Sequence, residues 1–330
     1  MNDRIFETPV SAEQALEECK GNWTVDTAPT YVRNSDSDYC KSGRCVIYKQ
    51  ESDFGNISDD NILGHCSPNY SPMQNIDFAK RIDALFDDGK AKIVRAGSRG
   101  DGRKPFMVAD CGETTIGGND PISNLILFGT SHDGSSSMKA SPLTNRNFCT
   151  NSLTALFARS VISVPHRQNM NEKLDAAKDA LTGLTQWHEE FQEIAEKMAV
   201  TAISDKEFHQ WANRLYIKKA NKTTKKLLTM QASEIDSRDL DKQERAHRKR
   251  EKFVDEIGYI WSNCDSEDVI PETEITGFIQ PEHRGTNWHA LNAVTHYVDH
   301  MASFSDQSVL TGRGASIKYE AYNQLSLIGG

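Results

Sequence analysis

The period of the hydrophobic pattern changes near residue 150, and that change limits the fold more than any other feature of the chain. Before it, short β-branched runs are separated by Gly-rich turns. Residues 91–97, 105–111 and 122–131 predict three strands, and 136–140 a fourth, so 90–145 reads as an antiparallel meander. After it, apolar residues recur at helical spacing over 151–161, 172–181, 186–198 and 286–303. A run of strands followed by a run of helices defines an α+β chain, not a doubly wound one. The expected fold is therefore α+β, an antiparallel β-meander in the N-terminal half packed with a mostly helical C-terminal half. At 330 residues the chain fits one large domain or two modest ones. Residues 1–150 read as a β-rich half with a basic hairpin, and 151–330 as a helical half with a charged insertion at 214–285. One continuous domain is the alternative.

Local signals fill in the rest. Ser11 and Gln14 form a capping-box pattern opening a helix over 11–20, and Ser204 with Glu207 opens another. Residues 30–44 are polar and turn-rich and predict a loop, with strands at 44–48 and 61–65. Asn75 is a suitable cap for a helix through Phe86, in which Ile76, Ala79, Ile82 and Leu85 share a face. Residues 218–250 are highly charged, 265–285 read as an acidic loop, and 318–328 close the fold.

Composition excludes several classes. No stretch reaches the roughly 20 consecutive apolar residues of a membrane span, and the start MNDRIFETPV lacks a basic region followed by an apolar one. A cytoplasmic protein with no membrane partner is expected. Seven scattered cysteines then read as free thiols, and the close pair Cys40 and Cys45 has no second pair at zinc-ligand spacing. The net charge of −9 argues against a general polyanion binder, but the charge is uneven. Residues 1–64 hold 6 Lys/Arg and 12 Asp/Glu, 89–167 hold 10 and 5, and 214–252 hold 13 and 6.

Four places carry candidate chemistry. The hairpin around 97–105 gathers Lys90, Lys92, Arg95, Arg99, Arg103 and Lys104, with Phe106 just after, a mixture that suits single-stranded nucleic acid. Charged hairpin tips are also ordinary. The phrase SHDGSSS from Ser131 reads either as a phosphate-holding loop using His132, with Lys139 beyond it, or as a hairpin turn in which Asp133-Gly134 supplies positive φ. Ser, His and Asp adjacent in sequence do not make a triad, which needs geometry. Arg146, before a helix start near Asn151, would suit a phosphate, although Asn147 and Thr150 are ordinary caps. Arg248, Lys249 and Arg250 lie in the densest basic run, readable as a phosphate contact or a solvated helix face.

His289, Asn292, His296, Asp299 and His300 fall along a helical stripe. His296 and His300, four apart, match a metal-chelating pair for which His132 or Asp133 would be a further ligand. The competing reading is a polar stripe hydrogen-bonded inside a packed core.

The phrases PNYSPMQN from Pro68, SHDGSS from Ser131, TNRNFCTNSL from Thr144, NAVTHYVDH from Asn292 and LTGRGASIK from Leu310 stand in an order that resembles the phage/plasmid-like protein family, known as domain of unknown function 932. The resemblance covers about Val10 to Leu325 and implies a protein of phages, plasmids or integrative elements. It implies no catalytic residue and no cofactor, and it implies an acidic residue at the position of His296.

The expected function is DNA handling on a mobile element, as a single-stranded DNA binding or annealing protein, with homo-oligomerisation. Alternatives are a host-defence antagonist that binds a host or phage protein, and a metal-dependent enzyme using His132 and His300. No cofactor is expected, and a non-catalytic role is favoured.

Overall fold

The computed structural model describes the chain apart from residues 34, 37, 51–56, 58, 87–90, 135–137, 147–161, 165–170, 232–235, 237–238, 265–280, 305–312 and 329–330. At 145–146, 162–164, 171–185 and 281 it describes the backbone alone. The chain is α+β, with antiparallel sheets built from its N-terminal strands and a C-terminal half that is mostly helical. It divides into two compact units. The first comprises Met1–Gly112, Asn124–Pro142 and Arg159–His188, and the second Glu113–Ser123, Leu143–Ala158 and Glu189–Gly330. The division follows no single point in the sequence, because each unit draws on three separate segments.

The larger sheet has six strands in the order β1-β5-β6-β7-β8-β9. They are β1 (Arg4–Val10), β5 (Ile93–Arg99), β6 (Lys104–Ile116), β7 (Asp120–Gly129), β8 (Met138–Arg146) and β9 (Ile162–Val164). The expected meander is its centre. β1, in which only Phe6 is buried, adds to the β5 edge through Arg4↔Ala96 and Ile5↔Arg95. The second turn is shorter than the sequence suggests: β6 continues to Ile116, and only three residues separate it from Asp120.

Two helices contribute to the core of the first unit. Helix α1 (Ala12–Glu18) has the expected capping box, with Ser11 Oγ accepting from Gln14 N–H. Helix α2 (Asn75–Ala84) carries Phe78, Ala79 and Ile82 on its buried face. These pack with Leu16, Ala96, Met107, Ile126, Phe128 and Met138 in one apolar cluster. Burying each large side chain contributes roughly 1.5–3 kcal/mol. The buried Asp83 ties the pieces together, accepting from Ala12 N–H at 2.9 Å, Glu13 N–H at 3.2 Å and Ala91 N–H at 2.8 Å. A carboxylate at the start of α1 also satisfies donors that the helix itself leaves open.

The smaller sheet, β2-β3-β4, corrects the reading of 30–44 as a loop. Strand β2 (Thr24–Arg33) pairs with β3 (Tyr39–Gln50) as far out as Arg33↔Tyr39, and β4 (Ile62–Cys66) covers only the inner part of β3. The small apolar cluster of Val25, Ile47, Leu63 and Cys66 lies in that inner part. The outer part has no core to face, so its sequence lacks the hydrophobic alternation by which a strand is recognised. Cys45 stands opposite Cys66 across the β3–β4 ladder.

Helix α3 (Asn171–Val200) passes from the first unit into the second after His188 and is one helix where the sequence predicts two; Gly183 weakens a helix by about 1 kcal/mol without breaking it. Helix α4 (Asp205–Lys219) has the expected Ser204–Glu207 box. The charged stretch forms α5 (Lys222–Thr229) and α6 (Leu240–Ser262). All ten residues of α7 (Asn287–His296) are buried, and α7 runs into a π-helical turn over Tyr297–Met301. Helix α8 (Arg313–Ser326) follows. An aromatic chain holds this unit: Phe208 stacks on Trp261 at 4.3 Å, and Trp261 on His289 at 4.1 Å. Trp288 meets Phe191 edge-on and donates to Asp120 Oδ2 at 2.8 Å. The helix expected over 151–161 lies outside the described residues. No described helix is long and apolar enough to cross a membrane.

Candidate functional site

The register of β5 with β6 sorts the basic hairpin by face. Arg95 opposes Val108, Gly97 opposes Phe106, and Arg99 opposes Lys104. Directly opposed residues project from the same face, and alternate residues share it. Arg95, Arg99, Lys104 and Phe106 therefore occupy one face, while Ala96 and Met107 enter the core from the other. The Phe106 ring crosses Gly97, where a Cβ would come within 3.1 Å of it and 2.8 Å of Asp3 Cα. The guanidinium of Arg95 lies 5.7 Å from the ring centroid and that of Arg99 5.8 Å. An aromatic ring thus sits between two cations on a half-exposed sheet face.

Two of the basic side chains on this face meet carboxylates. Arg95 is held by Asp3 through two hydrogen bonds, Nε to Oδ1 at 3.0 Å and Nη2 to Oδ2 at 2.7 Å. Lys104 lies 3.6 Å from Asp133. Arg103 is exposed in the turn, Lys92 is exposed just before β5, and Lys139 is exposed on β8. Lys90 lies outside the described residues. Arg146 is the last residue of β8, and the helix start that it was expected to flank is outside the described residues.

The SHDG segment runs from a buried Ser131–His132 to an exposed Gly134 and is not a two-residue hairpin turn. Thr130, Ser131 and His132 are all buried. Of Asp133 and Gly134, only Gly134 has positive φ, at 77°. Thr130 N–H donates to Pro105 O at 3.0 Å and His132 N–H to Arg103 O at 2.7 Å, so the segment prolongs the pairing of β7 with β6 past the end of both strands. Strand β4 presses on it from the smaller sheet: a Cβ on Gly64 would lie 2.5 Å from Asp133 Cα, which leaves room for glycine alone.

The His132 ring is bound by a residue that sequence reading took for a helix cap. Asn75 Nδ2 donates to Gly21 O at 2.9 Å, which turns Oδ1 toward His132 Nε2 at 2.7 Å. Oδ1 only accepts, so His132 carries a proton on Nε2. Gln74, not Asn75, holds the N-cap position of α2 and makes no side-chain cap bond. Trp23 meets the His132 ring edge-on at 5.5 Å, and Lys49 lies over Trp23 at 5.6 Å. Burial, then the neighbouring Cys66 and Asp133, push the nearby Tyr70 phenol up to about 12.

In the second unit, Arg248 and Lys249 are exposed on α6. Arg250 falls on the inward stripe with Ala246, Phe253 and Ile257, so the triplet is not one phosphate-facing patch. His296 and His300 have ring centroids 4.4 Å apart. Among the described residues, no three His, Cys, Asp or Glu side chains gather as metal ligands. His132 belongs to the first unit and His300 to the second.

Asp299, between those histidines, sits in the π-helical turn and accepts from Lys318 Nζ of α8 at 2.6 Å. The Lys318 side chain is 0% exposed and that of Asp299 5%. Burial lifts the Asp299 carboxyl to about 6 against the pull of Lys318, and burial lowers the Lys318 ammonium. Beside them, burial and the Glu256 carboxylate push the Tyr297 phenol up to about 12. Lys318 ends the resemblance phrase from Leu310, yet nothing in that phrase signals that its ammonium is buried.

Fold and sites together define an α+β protein with a half-exposed aromatic–cationic sheet face in one unit and a buried ion pair in the other. The chain belongs to the family described as "Domain of unknown function (DUF932)", whose model matches residues 62–318. No curated protein and no solved structure matches the chain.

Proposed function

We propose that the protein binds single-stranded DNA on the outer face of β5 and β6, as a binding or annealing protein of a mobile genetic element. One observation carries the reading: Phe106 lies between Arg95 and Arg99 on a face that also holds Lys104. Sequence-tolerant single-strand binders stack bases on exposed rings and hold phosphates with flanking cations. Asp3 and Asp133 neutralise part of this charge, so binding is moderate and steeply salt dependent. The mobile-element setting rests on the resemblance to phage/plasmid-like proteins. The acidic remainder of the chain keeps it from coating nucleic acid indiscriminately.

The test is fluorescence anisotropy of a labelled oligo-dT at low salt with the full-length chain. Wild type binds and weakens as salt rises. Phe106→Ala loses about tenfold or more, the usual range for one stacking ring, and Arg99→Glu loses at least as much. No binding by wild type at low salt ends the reading.

A further inference from the structure

The outer part of the β2–β3 ribbon is a second unassigned surface of the first unit. Its register runs Tyr31↔Lys41, Val32↔Cys40 and Arg33↔Tyr39. By alternation and cross-strand opposition, Tyr31, Arg33, Tyr39 and Lys41 all project from one face. Tyr31 is 51% exposed and Tyr39 73%, with Arg33 and Lys41 exposed beside them. Val32, on the opposite face, is 51% exposed, so neither face of this part is packed on a core. β4 pairs with β3 only from Cys45 inward, and the outer ladder is two strands wide.

Charge on this ladder runs against that of the chain. Residues 29–45 hold Arg33, Lys41 and Arg44 against Asp36 and Asp38, a net charge of +1 in a chain with a net charge of −9. A two-stranded ribbon is marginally stable in water by itself. Two rings, diagonal to each other and each directly opposite a cation on one narrow face, match the chemistry of a single nucleic-acid strand: bases stack on the tyrosines, and phosphates lie along Arg33 and Lys41.

We propose that the β2–β3 ribbon is an arm that holds single-stranded nucleic acid through Tyr31, Tyr39, Arg33 and Lys41. This rests on the single-strand reading above but uses different residues, so the two fail separately. The experiment uses full-length protein and labelled oligo-dT at low salt. It compares wild type, Tyr31→Ala/Tyr39→Ala, Lys41→Glu, Tyr31→Phe/Tyr39→Phe and the β6 variant Phe106→Ala, with sedimentation of each protein alone.

Removing both rings is expected to weaken binding about tenfold or more. The phenylalanine pair retains affinity, because it keeps the rings and shows that the ribbon stands. Lys41→Glu weakens binding and lowers the salt slope. If the arm variants bind like wild type while Phe106→Ala is weak, the arm proposal is overturned and the β5–β6 reading stands. If the arm variants are weak and Phe106→Ala is normal, the arm stands and the β5–β6 site falls. No binding by wild type overturns both. If Tyr31→Ala/Tyr39→Ala changes the sedimenting mass and leaves DNA affinity intact, the ribbon joins copies of the chain and the proposal is likewise overturned.

Discussion

Each unit buries a polar cluster, and the two are satisfied by different physics. In the first, His132 and Asn75 meet as imidazole and amide, with main-chain carbonyls taking the remaining amide donor. In the second, Lys318 and Asp299 meet as ammonium and carboxylate with almost no exposure. Removing one member of the amide–imidazole pair leaves a dry acceptor, a loss of about 1–3 kcal/mol. Removing one member of the ion pair leaves a buried charge, which costs about 3–5 kcal/mol. The first cluster joins segments far apart in sequence, 75 with 132 and 64 with 133. The second clamps a π-helical turn, a distortion that recurs at functional sites, onto a helix only 19 residues away.

That contrast can be broken or sharpened by measurement. The largest effect belongs to Lys318→Met, expected to destabilise by about 3–5 kcal/mol in urea unfolding. The double variant Lys318→Met/Asp299→Leu recovers most of the loss, because no charge is left buried. A single variant close to wild type would show the pair to be hydrated and erase the distinction.

Next comes acid dependence. The carboxyl of Asp299 is raised in the folded chain to about 6 from an unfolded value near 3.8. The folded state therefore binds more protons between those values, and this group's contribution to stability falls as pH rises from about 4 to 6. Measured against the uncharged double variant, wild type should lose on the order of 3 kcal/mol over that window. A flat difference would mean that Lys318 fully compensates burial.

The amide–imidazole cluster gives smaller numbers. His132→Ala is expected to lose about 1–3 kcal/mol through the dry Oδ1 of Asn75. Gly64→Ala should cost a similar amount through overpacking against the Asp133 backbone. Thermal unfolding of the two variants and their combination tests whether they act on one loop: coupled residues give a combined loss that departs from the sum. The smallest effect is Ser204→Ala, about 1 kcal/mol from the exposed cap of α4, which leaves both clusters intact.

Local rules identified both capping boxes, the centre of the large sheet and the helical character of the second half. They work because a cap, a turn or a hydrophobic stripe is decided within a few residues. The outer β2–β3 ribbon was invisible to them: its strands face water on both sides, so no alternation marks them. Asn75 shows the same limit. Its position fits a cap by every local criterion, yet its amide is used by a histidine 57 residues away.

The site residues divide in the same way. Arg95, Arg99, Lys104 and Phe106 were legible as a basic, aromatic hairpin, because composition and strand period are sequence properties. That Asp3 holds Arg95 and Asp133 approaches Lys104 depends on which strand lies alongside β5 and where the SHDG loop folds. So does the difference between His296, Asp299 and His300 as a metal stripe and Asp299 as the buried counter-ion of Lys318.

By itself the sequence determined the α+β class, the two helix starts with capping boxes and the residue types offered to a partner, since these follow from spacing and short-range hydrogen bonding. Tertiary structure alone decided which charges are neutralised, which histidine is locked by an amide and which tyrosines face water. Those depend on desolvation and on contacts between residues distant in the chain, and neither leaves a periodic mark in the sequence.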